Sequence, residues 1–297
     1  MYKFLAVIFP LLLALSLTGF IPVQQAPMLE KRLQLKRLNI TSAAELEQAF
    51  ADLGYEWPLK ADAIIPAVEL IRLPHDLAQV RDVKRKKSLF FRVLLPIVLA
   101  ENERVLDIRD HAVRLLDKGV ANLSESERRW LNVVARQYKI KASLDEAKVQ
   151  QQLLRRVDIV PPALVLAQAA NESAWGTSRF ARKGNNLFGQ WTYRQAEGIV
   201  PLGRPEGATY AVRAFSTLDA SVRAYIQNIN SNPAYKKLRR LRQQMRDRSV
   251  PLDSHVLATG LEAYSSRGTA YILDLQRMMR SNKLLTSLAS VSLKRGS

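Results

Sequence analysis

The sequence predicts a mainly α-helical protein with one small β element, and three observations carry that prediction. Apolar residues recur at helical spacing over most of the chain between residues 84 and 285. Helix-start signals punctuate that pattern: Ser124 is followed three residues later by Glu127, and Ser143 by Glu146, each a capping-box arrangement. β-formers are gathered in "WTYRQAEGIVPLGRPEGATYAVRAF", residues 191–215, around Gly203, Pro205 and Gly207, which reads as a β-hairpin.

Taken in order, the chain opens with "MYKFLAVIFPLLLALSLTGFIPVQQAP". Lys3 followed by an apolar run over 4–23 reads as an export signal, cleaved or retained as an inner-membrane anchor, over residues 1–26. Residues 27–150 read as a helical N-terminal region. It is broken at Pro58, Pro66 and Pro74, then continues as a helical pattern from Lys84, with Pro96 inside as a kink or boundary and Gly119 as its C-cap. A third unit, 151–290, starts with Pro161-Pro162 at the first turn of "PALVLAQAANES", a helix apolar enough to be buried. The hairpin follows. From Ser216 the helical pattern returns, is broken by Pro251, and ends in a short helix, a turn and a last helix. The run "KKLRRLRQQMRDR" reads as the wet face of an amphipathic helix with Leu238, Leu241 and Met245 inward.

Composition removes several chemistries. There is no Cys, so disulfides, thiolate zinc sites, Cys nucleophiles and thiol lipidation are excluded. The three histidines, His75, His111 and His255, have no metal-ligand spacing. No metal or cofactor is expected. Net charge is +18, and beyond residue 150 there are 22 Lys and Arg against 9 Asp and Glu. Behind an export signal, that balance suits anionic envelope polymers or lipid head groups rather than nucleic acid.

The stretch "AANESAWGTSRFARKGNNLFGQW" holds one acid, Glu172, near the end of the apolar helix. A carboxyl held against an aromatic ring such as Trp175 in a dry site has its charged form disfavoured and its pKa raised, as a general acid for glycosidic cleavage requires. Gly176 permits a sharp exit from the helix. Asn185 and Asn186 either bind sugar hydroxyls or hold a loop in left-handed geometry, and Phe188 anchors that loop. Trp191 and Tyr193 are either flat faces for sugar rings or core aromatics.

The run "LAQAANESAWGTSRFARKGNNLFGQW" resembles the signature of the glucosaminidase domain of glycoside hydrolase family 73: L-A-Q-A-A, then E-S-x-W-G-x-S, then N-N-L-F-G. "AVRAFSTLDASVRAYIQNINSNPAY" and "LEAYSSRGTAYILDLQRMM" are similar to its later segments, so the resemblance covers roughly 155–285. The N-terminal extension resembles that of bacterial Bax-type proteins carrying this domain. The resemblance implies a lysozyme-like helical lobe with a small β-hairpin lobe and a cleft between them. It implies an endo-β-N-acetylglucosaminidase cutting β-1,4 bonds in the glycan strands of peptidoglycan, in the periplasm or cell envelope.

Under that resemblance Glu172 matches the catalytic acid, and Tyr264 or Tyr271 the functional tyrosine. Tyr264 is taken as positioning or stabilising the sugar. Trp175, Asn186, Phe188, Trp191, Tyr193 and Tyr271 are taken as lining the substrate site. Many members carry a second carboxylate on the hairpin, where this chain offers only Glu197 and Glu206. Either fills that role, or neither does and Glu172 works alone, with the substrate's N-acetyl group or 6-hydroxyl attacking as in a lytic transglycosylase. The ending "AYSSRGTAY" also departs from the family's G-Y-A-T-D-P-x-Y and loses its Asp. A non-catalytic glycan-binding scaffold is the remaining alternative.

Overall fold

The computed structural model describes residues 34–288 and 290–294. The segment read as export signal or anchor, 1–26, lies outside the described residues. Among the described residues, no helix is long and apolar enough to cross a membrane.

The architecture is mainly helical, with three small sheets. Strand β1 (Lys36–Arg37) leads to helix α1 (Ala43–Asp52), which starts on a full capping box between Ser42 and Glu45. Strands β2 (Ile64–Ile65) and β3 (Val68–Glu69) precede helix α2 (Val83–Lys118). Helices α3 (Glu125–Gln137), α4 (Ala147–Arg156), α5 (Pro162–Ser173) and α6 (Arg179–Gly184) follow. Strands β4 (Trp191–Thr192), β5 (Gly198–Ile199) and β6 (Ala211–Arg213) form one sheet. The chain closes with α7 (Leu218–Ser231), α8 (Lys236–Asp247), α9 (Ser254–Ala258), α10 (Thr269–Ser281), α11 (Leu284–Ser287) and β7 (Ser292–Leu293).

Helix α2 is the hub. Every residue over 89–99 is buried, so this part of the helix is covered all round its circumference. It packs against α5 and α7, and also against α1, α3 and α4. Pro96 sits inside it without ending it. One hydrophobic cluster joins Phe50, Leu94, Leu166, Ile226, Leu275 and Leu293. Strand β7 pairs in parallel with β2, Ile65 opposite Leu293. Residues 151–290 therefore share one core with the region before residue 150; the sequence boundary there does not separate two cores.

The expected β-hairpin is present as β5 and β6, and β4 joins it in a three-stranded antiparallel sheet of order β4-β6-β5, with Val212 pairing both Trp191 and Ile199. Two local expectations are corrected. Ser143 does not cap α4; its hydroxyl donates to Asp145 at 2.6 Å, and Glu146 takes the N-cap position. Ser124 does form the box expected of it with Glu127. Helix α8 turns two of its arginines inward. Arg239 donates to the carbonyls of Ile229 and Asn232, and Arg242 to those of Arg155, Asp158 and Ile159. The carbonyls of Ile229, Asn232 and Arg155 lie at the C-terminal ends of α7 and α4, and those of Asp158 and Ile159 in the link from α4 to α5.

Candidate active site

Helix α5 builds the site. Residues 163–170 are buried, and Pro162 opens the helix at the position that needs no N–H. The helix stops at Ser173, one residue after Glu172. Three residues in succession then have positive φ: Ala174 at 50°, Trp175 at 61° and Gly176 at 77°. Left-handed backbone costs a non-glycine residue about 1–2 kcal/mol. Hydrogen bonds hold the turn: Trp175 N to Ala170 O (2.9 Å), Gly176 N to Ser173 Oγ (2.8 Å) and Ser178 N to Ser173 O (3.0 Å). Packing closes it. A Cβ on Gly176 would lie 2.4 Å from Leu73 Cδ1 and 3.2 Å from Phe90, so backbone and space both require glycine there.

This turn redirects Trp175. Its ring meets Phe90 and Phe91 edge-on at 5.9 and 5.2 Å, with Lys87 Nζ 4.5 Å from its centre. Trp175 is thus packed as a clamp between the Glu172 turn and α2. The N-terminal region holds the turn in place through Leu73, Lys87, Phe90 and Phe91.

The following loop is also held internally. Asn185, at φ 49°, donates to Phe215 O and Ser216 O. The Asn186 amide donates to Gln190 O (2.8 Å) and Arg213 O (2.7 Å), and its oxygen accepts from Phe188 N and Gln190 N. Phe188 stacks on Tyr225 with centroids 4.0 Å apart. Asn186 and Phe188 therefore shape the loop from within. The loop brings Gly189, at φ 65°, against the acid: a Cβ there would stand 3.8 Å from Glu172 Oε2.

Glu172 itself is only partly covered. Burial pushes its carboxyl pKa up; hydrogen bonds from Tyr271 and Asn171 and the Arg267 charge pull it down without cancelling that rise. Asn171 Nδ2 lies 3.2 Å from Oε1. Tyr271, Tyr264, Tyr235 and Tyr225 all feel the Glu172 charge, and burial raises the pKa of each hydroxyl. Near neutral pH these phenols are O–H donors. Tyr264 and Tyr271 stack with planes 4° apart, but they end differently. The Tyr264 hydroxyl donates to Phe188 O at 2.9 Å and supports the loop, whereas the Tyr271 hydroxyl accepts from Gln168 Nε2 at 2.9 Å.

The sheet supplies the open side. Trp191 and Tyr193 are 52% and 64% exposed, enough to offer flat faces to a ligand, and Trp191 rests edge-on against Tyr210. Glu197 is exposed and pairs with Arg194 at 2.9 Å. Glu206 is exposed in the turn between β5 and β6. Neither is among the groups acting on Glu172. Among the described residues, no three His, Asp or Glu side chains converge as a metal site.

Two residues at the site escaped the sequence reading. Gln168, wholly buried, donates to Tyr271; its signal was a lone amide in an apolar run, four residues before Glu172 and so on the same helix face. Arg267 comes from the departing segment "AYSSRGTAY" and pairs with Asp274.

Comparison with known proteins agrees with this geometry. Residues 147–284 match the glucosaminidase family, described as mannosyl-glycoprotein endo-beta-N-acetylglucosaminidase. The chain is 33% identical to Protein bax of Escherichia coli (strain K12) over 211 residues, 71% of this chain and 74% of that protein. No solved structure matches it significantly. The chain therefore belongs to the bax family and carries a glucosaminidase domain.

Proposed function

We propose that the protein cuts β-1,4 bonds in the glycan strands of peptidoglycan as an endo-β-N-acetylglucosaminidase, with Glu172 as general acid. The observation that carries this reading is Glu172 itself: a partly open carboxyl at the end of the apolar helix α5, whose pKa is raised by burial. Its proton passes to the glycosidic oxygen as the bond from that oxygen to the anomeric carbon breaks. The positive charge left on the sugar is quenched at the anomeric carbon, and the incoming group returns a proton to the Glu172 carboxylate. Trp191 and Tyr193 offer the faces on which sugar rings stack. A substrate in the envelope agrees with the export or anchoring role read for residues 1–26. The domain requires no metal, cofactor or nucleic acid for this chemistry.

The placement of Glu197 and Glu206 favours Glu172 as the sole protein carboxyl in the reaction. One is paired with Arg194 and the other is in an exposed turn. The same observation supports a second reading, a lytic transglycosylase in which the substrate's 6-hydroxyl is the incoming group. Digestion of purified peptidoglycan with product analysis by mass spectrometry separates them. Reducing-end N-acetylglucosamine is expected for the hydrolase, and a 1,6-anhydro-muramyl end for the transglycosylase. Intact glycan, where a control enzyme cuts, would move the assignment to a glycan-binding scaffold.

A further inference from the structure

Gly189 stands beside Glu172 and is held there from both sides. The Phe188 carbonyl before it accepts from the Tyr264 hydroxyl at 2.9 Å. The Phe188 and Gln190 amides both donate to Asn186 Oδ1, at 3.2 and 3.1 Å. The Gln190 carbonyl accepts from Asn186 Nδ2 and from the Arg213 amide, each at 2.8 Å. The Phe188 ring is stacked on Tyr225. With its neighbours fixed in this way, residue 189 cannot swing aside to make room for a side chain. The position itself is open. Apart from its chain neighbours, a Cβ on Gly189 would meet only Glu172 Oε2 within 4 Å among the described residues, at 3.8 Å. The glycine therefore leaves a space that the carboxyl oxygen borders.

The two carboxyl oxygens are not equivalent. Asn171 Nδ2 donates to Oε1 at 3.2 Å. An amide nitrogen only donates, so Oε1 is engaged as an acceptor and the carboxyl proton falls to Oε2. The oxygen left to carry the proton is the one that Gly189 leaves uncovered.

We propose that Gly189 determines the access of substrate to the acid: by lacking a side chain it admits the scissile glycosidic oxygen to the protonated Oε2 of Glu172. This role rests on the general-acid reading. A proton is handed over across a hydrogen bond of about 2.6–3.2 Å. A methyl group in contact with Oε2 occupies that approach and holds the sugar oxygen off. Backbone alone does not explain the glycine. Gly54, just after α1, has φ 62° against 65° at Gly189, but no atom within 4 Å of where its Cβ would stand. Alanine at either position carries a similar backbone cost, and only at 189 does it also cover an acid.

The test measures kcat and KM on a soluble glycan tetrasaccharide from peptidoglycan, together with thermal unfolding, for wild type, Gly189→Ala and Gly54→Ala. Both variants should lose a similar amount of melting temperature, because alanine fits positive φ poorly. Gly189→Ala alone should lose activity, about hundredfold in kcat, as when a reacting atom is displaced by about 1 Å, with a smaller rise in KM. Gly54→Ala should keep the wild-type kcat. A wild-type kcat in folded Gly189→Ala, or an equal loss in Gly54→Ala, overturns the proposal. If Gly189→Ala does not fold, Gly189→Asn replaces it, since asparagine adopts left-handed backbone more readily and still carries a Cβ; a wild-type kcat there overturns the proposal equally. A wild type that cuts no glycan overturns the general-acid reading instead, and calorimetric binding of the same tetrasaccharide then decides. Binding weakened in Gly189→Ala but not in Gly54→Ala supports Gly189 as the opening to the carboxyl, and equal binding by all three proteins overturns it.

Discussion

Asp158 lies just before helix α5 and Glu172 in its last turn, the first buried and the second partly covered, yet their pKa values move in opposite directions. Burial pushes Asp158 up, but Arg242, Arg246 and Arg109 together hold it below the ordinary carboxylate range. Arg246 Nη2 lies 2.9 Å from Oδ1, and Arg242 Nε lies 3.6 Å from Oδ2. Around Glu172 the neighbours are neutral tyrosines and an amide, with one half-exposed arginine already paired to Asp274. The same burial that three guanidinium groups offset at Asp158 is left standing at Glu172. One carboxylate fastens α8 to the start of α5. The other is kept in a state that favours holding a proton.

The stability signs follow. The lowered Asp158 stabilises the fold above its unfolded pKa, and that contribution is lost as pH falls through the folded value. The raised Glu172 does the reverse: the folded state binds its proton more tightly, so ionising it near neutral pH weakens the fold. Glu172→Gln should therefore cost turnover about 10²–10⁴-fold while the melting temperature at neutral pH holds or rises. A large fall in melting temperature would class Glu172 with Asp158 as a structural acid. Arg242→Met should do the opposite, destabilising the protein by about 3–5 kcal/mol in urea denaturation because it strips the buried Asp158 of a partner. Adding Asp158→Asn to that variant should return part of the loss. Recovery of none would mean that the carbonyl bonds of Arg242, rather than the charge pair, dominate.

Smaller effects sharpen the contrast between the pocket and the surface. Glu197→Gln breaks an exposed pair worth about 0–1 kcal/mol, and with Glu206→Gln it should leave kcat within about fivefold of wild type. A collapse of kcat in either variant would restore a second catalytic carboxylate on the sheet. Ser124→Ala removes one capping box far from the cleft and should cost about 1 kcal/mol of stability with kcat unchanged, measured by thermal unfolding and turnover on one preparation.

Much of this was legible in the sequence, for reasons that differ by residue. Helical periodicity, the Ser124 box and the Pro162 start are local signals, and the structure follows them. Glu172 stood out as a lone acid in an apolar helix. What stayed hidden depends on contacts distant in sequence. Trp175, three residues after Glu172, would lie beside it had the helix continued; three left-handed residues turn it onto Phe90 and Phe91 instead. Arg239 and Arg242 look like wet-face residues until the carbonyls at the end of α7 and in the link from α4 to α5 are placed beside them. Ser143 had two local partners three and two residues away, and the nearer Asp145 took its hydroxyl. Tyr264 and Tyr271 could be told apart only once Phe188 O claimed one hydroxyl.

The most direct test of Glu172 as the proton donor sets two curves side by side: the pH dependence of kcat/KM on peptidoglycan fragments, and the titration of the Glu172 carboxyl in the free protein by carbon-13 NMR. The limb of falling activity at high pH reports the acid of the free enzyme. Coincidence of its midpoint with the Glu172 midpoint, both above the ordinary carboxylate range, is the predicted result. A Glu172 that is fully ionised across the range of highest activity would contradict it.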